Sequence, residues 1–357
     1  MNKLRVNIVL PFPTSKPAGG PKIMYEYANR LSQLGHGITI YHAIKRPYKN
    51  SKTPLFIKQI MFALRGISRP KWFLLAAGIK SVIVPKIEDK FIADADIIFC
   101  TWWQMAFALQ DLSPAKGKKF NLIQDYEIWT GQNDLVDKSF NLPLHHVVIS
   151  KYLQQIVFDK TGVMPLHIPN AIDTDIYACS IKPGDKNPYS IIMLYSEELR
   201  KGTQFGLTAL TELKEKFPQL RVTLFGVYPK PQNLPGWMKY YRKPANLREL
   251  YNEAAIFISP SLTEGWALPP AEAMACGCAV VCTGIGGHAD YALDNNTALL
   301  TKTENTADIV EKVSLLLTDN SLRLNIANNG LQFITSGFSW HKNVHDLETF
   351  FYLALNK

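Results

Sequence analysis

Two glutamates, Glu264 and Glu272, stand eight positions apart in the segment 260–281, P-S-L-T-E-G-W-A-L-P-P-A-E-A-M-A-C-G-C-A-V-V. A carboxylate can accept paired hydrogen bonds from a sugar diol. Between the two lie a glycine-containing loop and a Pro-Pro pair, which suits the start of a helix and not its interior. The spacing predicts a helix over 271–276, stopped by Gly277, and then a buried strand at 279–281. Glu272 is therefore expected in the first helical turn, with Glu264 in the loop that feeds it. Backbone N–H groups of Gly265, Trp266 and Ala267 would point outward near the start of a helix dipole, where an anion is favoured. Such a site suits a ligand with hydroxyls at both ends and a phosphate between them. The plainer alternative is a loop, a helix and a strand carrying two solvated glutamates.

Other residues could extend that chemistry. Arg200-Lys201 follows a predicted strand at 191–195 and precedes Gly202 and the helical pattern Leu207, Leu210, Leu213. A guanidinium fork and a compact ammonium together can stabilise a leaving diphosphate, whereas a surface basic pair at a helix start is the alternative. Gly19-Gly20 would let the backbone approach a diphosphate or a sugar without a Cβ in the way, unless P-A-G-G-P is a simple surface turn. After the predicted strand 121–123 comes Gln124-Asp125-Tyr126-Glu127, in which Asp125 or Glu127 could orient a hydroxyl or serve structure alone. Trp102, Trp103 and Trp129 could stack on sugar faces or simply pack. The triplets Asp94-Ala95-Asp96 and Asp173-Thr174-Asp175 lie in no recognisable oxygen-ligand loop, so no metal is expected.

The 260–281 string resembles the E-x7-E segment of retaining, family-4 type glycosyltransferases with a GT-B fold. Further short matches follow in the family's order. Gly19-Gly20 resembles the diglycine loop, and Gly35-His36-Gly37-Ile38-Thr39-Ile40 the entry to the second strand. Pro169-Asn170-Ala171-Ile172-Asp173 resembles the turn into the second domain. Arg200-Lys201-Gly202, Gly284-Ile285-Gly286-Gly287, Thr297-Ala298-Leu299-Leu300 and Phe338-Ser339-Trp340 continue the series. The resemblance implies sugar transfer from a nucleoside diphosphate donor, with retention and without a cofactor or metal. It assigns catalysis to Glu264, Lys201, Arg200 and Asp125. Donor binding falls to Gly19, Gly20, Gly265, Trp266, Ala267, Glu272 and Arg242. Two departures stand out. The Arg usual a few residues before the Lys is absent from 195–199, and Gln124-Asp125 replaces the common His-Asp.

Strands and helices alternate in both halves, the pattern of open parallel sheets. Strands are expected at 6–10, 38–42, 97–100, 121–123 and 146–149, then at 191–195, 221–225, 240–241, 256–259, 279–282 and 298–300. The expected architecture is α/β: an acceptor-binding Rossmann-like domain over 1–168, a nucleotide-sugar-binding one over 169–337, and a helix over 338–357 that packs back on the first. Ligands of such sheets bind at the carboxyl ends of the strands, so a cleft between the domains is the expected site.

The 357 residues accommodate two ordinary cores. Five cysteines form an odd set without a disulfide framework, which fits a reducing, cytoplasmic setting and small apolar packing for Cys276 and Cys278. No apolar run is long enough to span a bilayer, and the N-terminus runs directly into a strand. The net charge is +9, and from Ala28 to Ile87 there is no Asp or Glu. Within that window Ile57, Ile60, Met61 and Leu64 repeat at helical spacing beside Lys58 and Arg65. A basic amphipathic helix of this kind can lie in an anionic membrane interface, through 45–86; a core helix with a solvated basic face is the alternative. No base-reading motif supports nucleic acid as a partner. The expected partners are a nucleotide sugar and a lipid-linked or cell-surface glycan acceptor, at the inner face of the membrane. A nucleotide-sugar 2-epimerase and a catalytically inactive binding subunit remain the alternatives.

Overall fold

The structure is a computed structural model that describes residues 2–11, 17–48, 53–64 and 69–356. The chain divides into two compact units, Met1–Pro169 with His341–Lys357, and Asn170–Trp340.

Unit 1 is built on a parallel seven-stranded sheet: β1 (Arg5–Pro11), β2 (Gly37–Ala43), β3 (Lys80–Val84), β4 (Ile97–Thr101), β5 (Lys118–Ile123), β6 (His145–Val148) and β7 (Leu166–His167), in the order β3-β2-β1-β4-β5-β6-β7. The helices are α1 (Gly19–Gln33), α2 (Leu55–Leu64), α3 (Trp103–Gln110), α4 (Asn133–Phe140), α5 (Lys151–Thr161) and α11 (Trp340–Leu355). The central strands β1 and β4 read as near-continuous apolar runs because helices cover both faces of such a sheet. α11 docks its aromatic side on this sheet, with Phe351 edge-on to Phe99 and Phe120, and Glu348 accepts a 2.9 Å hydrogen bond from His36.

Unit 2 holds a parallel six-stranded sheet of β8 (Ser190–Leu194), β9 (Arg221–Gly226), β10 (Met238–Arg242), β11 (Ile256–Ser259), β12 (Ala279–Thr283) and β13 (Ala298–Thr301), ordered β10-β9-β8-β11-β12-β13. Its helices are α6 (Thr203–Lys216), α7 (Leu247–Glu253), α8 (Leu268–Ala275), α9 (Thr306–Thr318) and α10 (Asn320–Gly337). Leu210, Leu213, Val222, Ile256, Val281 and Leu316 are among the residues of its core.

All six strands expected in the second half are present, and all five in the first. Two strands, β3 and β7, had no clear signal. Both are sheet edges, the first following an irregular stretch and the second only two residues long. Gly19 and Gly20 open α1 instead of forming a loop before it. Lys186, in the polar stretch 181–188, is buried, and its ammonium donates to the carbonyls of Tyr251 (3.2 Å), Ala254 (3.1 Å) and Cys276 (2.6 Å). It thereby satisfies carbonyls at the ends of α7 and α8, a role no local pattern announces.

Candidate active site

In each sheet the strand order reverses next to the first strand of the unit, between β1 and β4 and between β8 and β11. Ligands of open α/β sheets gather at the carboxyl ends of the strands at such a point.

In unit 2 the chain leaves β8 and reaches a short 3-10 turn, Leu199–Lys201. Gly202 then adopts a left-handed conformation (φ +59°), and a Cβ there would run into the carbonyl of Pro260. That close approach lets the Leu262 N–H bond the Arg200 carbonyl at 2.7 Å, so the two loops lie side by side. The result is an ion cluster. Lys201 Nζ donates to Glu264 Oε1 at 2.6 Å, Ser261 Oγ donates to the same oxygen at 2.8 Å, and Arg200 Nη1 lies 3.7 Å from Oε2. Arg200 is also held by Glu198 through a 2.8 Å hydrogen bond from its Nε. Burial pushes the Glu264 carboxyl up, but Lys201 and Arg200 outweigh it and hold the group below the usual carboxylate range. The cluster opens on a cleft of about 270 Å³, its mouth included, walled by Leu194, Pro260, Pro269 and Pro270.

Two expectations for this segment need correction, and the alternative of solvated glutamates fails. Helix α8 begins at Leu268, so both prolines sit inside its first turn and Glu272 falls in the second. Glu272 is buried instead of solvated, and Tyr251 donates its hydroxyl to Oε2 at 3.3 Å. The N–H of Ala267 does not point outward but bonds the carbonyl of Gly287 at 3.3 Å. The ring of Trp266 is buried and packs against Tyr291 and Phe338. Gly265 is buried beside them. Arg242 ends the edge strand β10 and lies exposed, with Nε 3.5 Å from the Val227 carbonyl, outside the Lys201–Glu264 cluster.

Several supporting residues were legible in type but not in contact. Gly287 packs its backbone on Glu264 so closely that a Cβ would meet the Glu264 carbonyl. His288 is buried, its Nδ1 2.8 Å from the Thr283 carbonyl and its Nε2 3.4 Å from Ser259 Oγ. Ser261, three residues before Glu264, was visible only as part of the P-S-x-x-E string.

In unit 1, Gln124 follows β5 and ties two parts together. Its Nε2 donates to the Gly20 carbonyl at 3.1 Å and to Thr101 Oγ1 at 2.9 Å. The position where a His resembles the family's pattern thus carries an amide that fastens the α1 start to β4. Asp125 lines a cleft of about 230 Å³, mouth included, together with Trp102, Trp103 and Glu127. Asp94 pairs with Lys116, Asp96 with Arg5, and Asp173 accepts the N–H groups of Asp175 and Ile176. Among the described residues no group of His, Cys, Asp or Glu is arranged to hold a metal ion.

Comparison with known proteins agrees with this geometry. Residues 181–333 match the family described as Glycosyl transferases group 1. That match lies within unit 2. The chain is 33% identical over 152 residues to the N,N'-diacetylbacillosaminyl-diphospho-undecaprenol alpha-1,3-N-acetylgalactosaminyltransferase of Campylobacter jejuni, covering 42% of this chain and 40% of that protein. It is 29% identical over 101 residues to the capsular polysaccharide biosynthesis glycosyltransferase CapM of Staphylococcus aureus, 28% of this chain and 27% of that one. The chain thus spans less than half the length of these curated relatives. Among solved structures, Anabaena HepE in complex with UDP-glucose superposes with a TM-score of 0.74 at 13% identity, over 97% of this chain and 98% of that one. Sucrose-phosphate synthase from Thermosynechococcus elongatus superposes at 0.73, also at 13% identity, over 98% and 99%. These likenesses show the fold, which is GT-B.

Proposed function

We propose that the protein is a retaining, metal-independent glycosyltransferase that moves a sugar from a nucleoside diphosphate donor to a lipid-linked or cell-surface glycan. The observation that carries this reading is the Lys201–Glu264–Arg200 cluster, placed beyond the carboxyl ends of β8 and β11 inside the matched domain. Two fixed cations beside a buried carboxylate provide what a departing diphosphate and a bound sugar each need. The names of the Campylobacter and Staphylococcus relatives, which refer to a diphospho-undecaprenol-linked sugar and a capsular polysaccharide, support the acceptor class.

In this mechanism Lys201 and Arg200 stabilise charge that grows on the diphosphate as its oxygen leaves the anomeric carbon, helped by backbone N–H groups near Gly265. Glu264 holds donor sugar hydroxyls and Glu272 the ribose diol. Gly19 and Gly20 at the start of α1 and Arg242 at the end of β10 are further donor-binding residues of this proposal. The acceptor oxygen bonds the anomeric carbon on the face the diphosphate leaves. Its proton passes to the departing phosphate oxygen, so the products are the glycoside and a nucleoside diphosphate. Asp125 orients the acceptor hydroxyl or the donor sugar.

Helix α2 supports a membrane-surface acceptor. Phe56, Ile57, Ile60, Met61 and Leu64 are all exposed, Leu64 by 83%, and fall in one sector of about 140°. An apolar face with Lys58 on its flank, in a window without acidic residues, fits an anionic bilayer. Lys49, Lys52 and Arg65 of that window lie outside the described residues. No described helix is long and apolar enough to cross a membrane.

Thermal unfolding against UDP, GDP, dTDP, ADP and CDP, with and without EDTA, tests the donor site. A ligand at about 100 times its dissociation constant adds about 2.7 kcal/mol. One nucleotide should stabilise the protein in EDTA, and no shift from any of them would overturn the reading. Incubation with the matching nucleotide sugar then separates transfer or slow hydrolysis from 2-epimerisation and from binding alone.

A further inference from the structure

The cleft of unit 1 holds chemistry that the donor site does not use. It lies beyond the carboxyl ends of β4 and β5, beside the strand reversal. Trp102, which follows β4, has φ +80°, and Tyr48, stacked on Trp103 at 5.6 Å, has φ +56°. Bulky residues seldom adopt this region, and such outliers gather at ligand sites. The indole N–H groups of Trp102 and Trp103 are buried and, among the described residues, have no hydrogen-bond partner. Trp129 stands edge-on to Trp102 at 6.1 Å and is half exposed.

Glu127 is the acid of this cleft. Its Oε2 accepts the N–H of Trp103 at 2.9 Å, which fixes the side chain against the start of α3. Arg46 is buried with its guanidinium 5.0 Å over the Trp102 ring and faces Glu127 from the segment after β2. The other groups facing it are Asp125 on its own segment and the Cys100 thiol from β4. Tyr152 of α5 faces Asp125, and Asp137 of α4 is taken by the Tyr126 hydroxyl and Lys160.

We propose that this cleft is a subsite for an uncharged sugar ring, with Glu127 and Asp125 hydrogen-bonding ring hydroxyls and the Trp102 and Trp129 indoles supplying the stacking face. A carboxyl that has already accepted one N–H keeps its second oxygen for a hydroxyl. Among the described residues that line the cleft there is no cation to pair an anionic sugar, and Asp125 stands against one. Burial, foremost, with Asp125 adding to it, pushes the Glu127 carboxyl up to about 8, against the Trp103 N–H and Arg46. At neutral pH the group therefore carries its proton and both donates and accepts, as a hydroxyl-rich ligand requires. Above about pH 8 it ionises and loses the donor.

The substrate class rests on the glycosyl-transfer reading, but the test does not depend on the donor site. Methyl glycosides of glucose, galactose, N-acetylglucosamine and N-acetylgalactosamine, with methyl glucuronide as the anionic probe, would be titrated by saturation-transfer NMR and tryptophan fluorescence. At least one uncharged glycoside should bind near neutral pH and more tightly than the glucuronide. Trp129→Ala and Glu127→Ala should each weaken binding about tenfold. Glu127→Gln, which keeps both donor and acceptor, should bind as well as the wild type and retain its affinity above about pH 8, where the wild type loses it. Binding unchanged in Glu127→Ala and Trp129→Ala, equal binding of the glucuronide, the same alkaline loss in Glu127→Gln, or no glycoside binding would overturn the proposal. The nucleotide melting shift, measured on the same proteins, separates this outcome from failure of the donor site. Trp129→Ala, at a half-exposed ring, carries the test should Glu127→Ala not fold.

Discussion

The two units share a parallel-sheet plan but treat buried charge in opposite ways. In unit 2 the buried carboxylate Glu264 is met by Lys201, Arg200 and Ser261, and stays ionised. In unit 1 Glu127 has one backbone N–H and the facing Arg46, and keeps its proton up to about 8. His42 and His146, also in unit 1, are pushed by burial down to about 4. The difference lies in partners, not depth. A buried charge persists where opposite charges and donors replace water, and is neutralised where they do not. In the proposed reading this suits unit 2 to a diphosphate and unit 1 to neutral groups.

The largest expected effect comes from breaking the unit 2 pairing. Lys201→Ala leaves Glu264 buried with Arg200 at 3.7 Å as its remaining cation. Stability should fall by about 3 kcal/mol, and donor turnover by two orders of magnitude or more, on the order of an electrostatic stabiliser's loss. Retained turnover in assays of nucleotide release would remove Lys201 from the mechanism. Next comes Gly287→Ala, whose methyl must displace the Glu264 backbone. A cost of about 1–3 kcal/mol and loss of the nucleotide-induced melting shift are expected, while unit 1 keeps its glycoside binding.

The contrast also sets opposite pH windows. Above about pH 4.5 the unfolded Glu127 carboxyl ionises while the folded one keeps its proton to about 8, so unit 1 loses stability as pH rises across that window. Below about pH 6.5 the unfolded chain binds protons that His42 and His146 refuse until about 4, so the same unit also loses stability on the acid side. Glu264, with its lowered carboxyl, contributes stability that is lost only as pH falls. Hydrogen exchange, corrected for intrinsic rates, should show unit 1 opening more readily at pH about 8 than at about 6, with unit 2 unchanged and Glu127→Gln removing the difference. Parallel behaviour of both units would end the comparison.

The smallest effect on the donor site should come from α2. Replacing Ile60 and Leu64 with Glu should leave the melting temperature and the nucleotide shift almost unchanged, because both residues are exposed. Co-sedimentation with phosphatidylglycerol vesicles should be lost. A variant that still sediments would remove α2 as the membrane face.

Much of the fold was legible. Apolar runs such as Ile97–Thr101 and Ala279–Thr283 are buried on both sides and read as strands without help. The edge strands β3 and β7 were not legible, because a strand that is short or half exposed carries a weak pattern. In the site, the E-x7-E spacing and Arg200-Lys201 were visible as types and positions. The sequence also placed Gln124 and Asp125 at a strand end, but not the bond from Gln124 to Gly20.

By itself, then, the sequence determined the α/β alternation and the two carboxylates and two cations available to unit 2, since periodicity and residue chemistry are local properties. Tertiary structure alone decided which of them meet. Gly202 against Pro260 brings Lys201 to Glu264 across 63 positions of chain, and Gly287 sets the loop from the other side. It also decided protonation: Glu127 and Glu264 are the same residue type, and only the charges folded around each make one an acid and the other an anion.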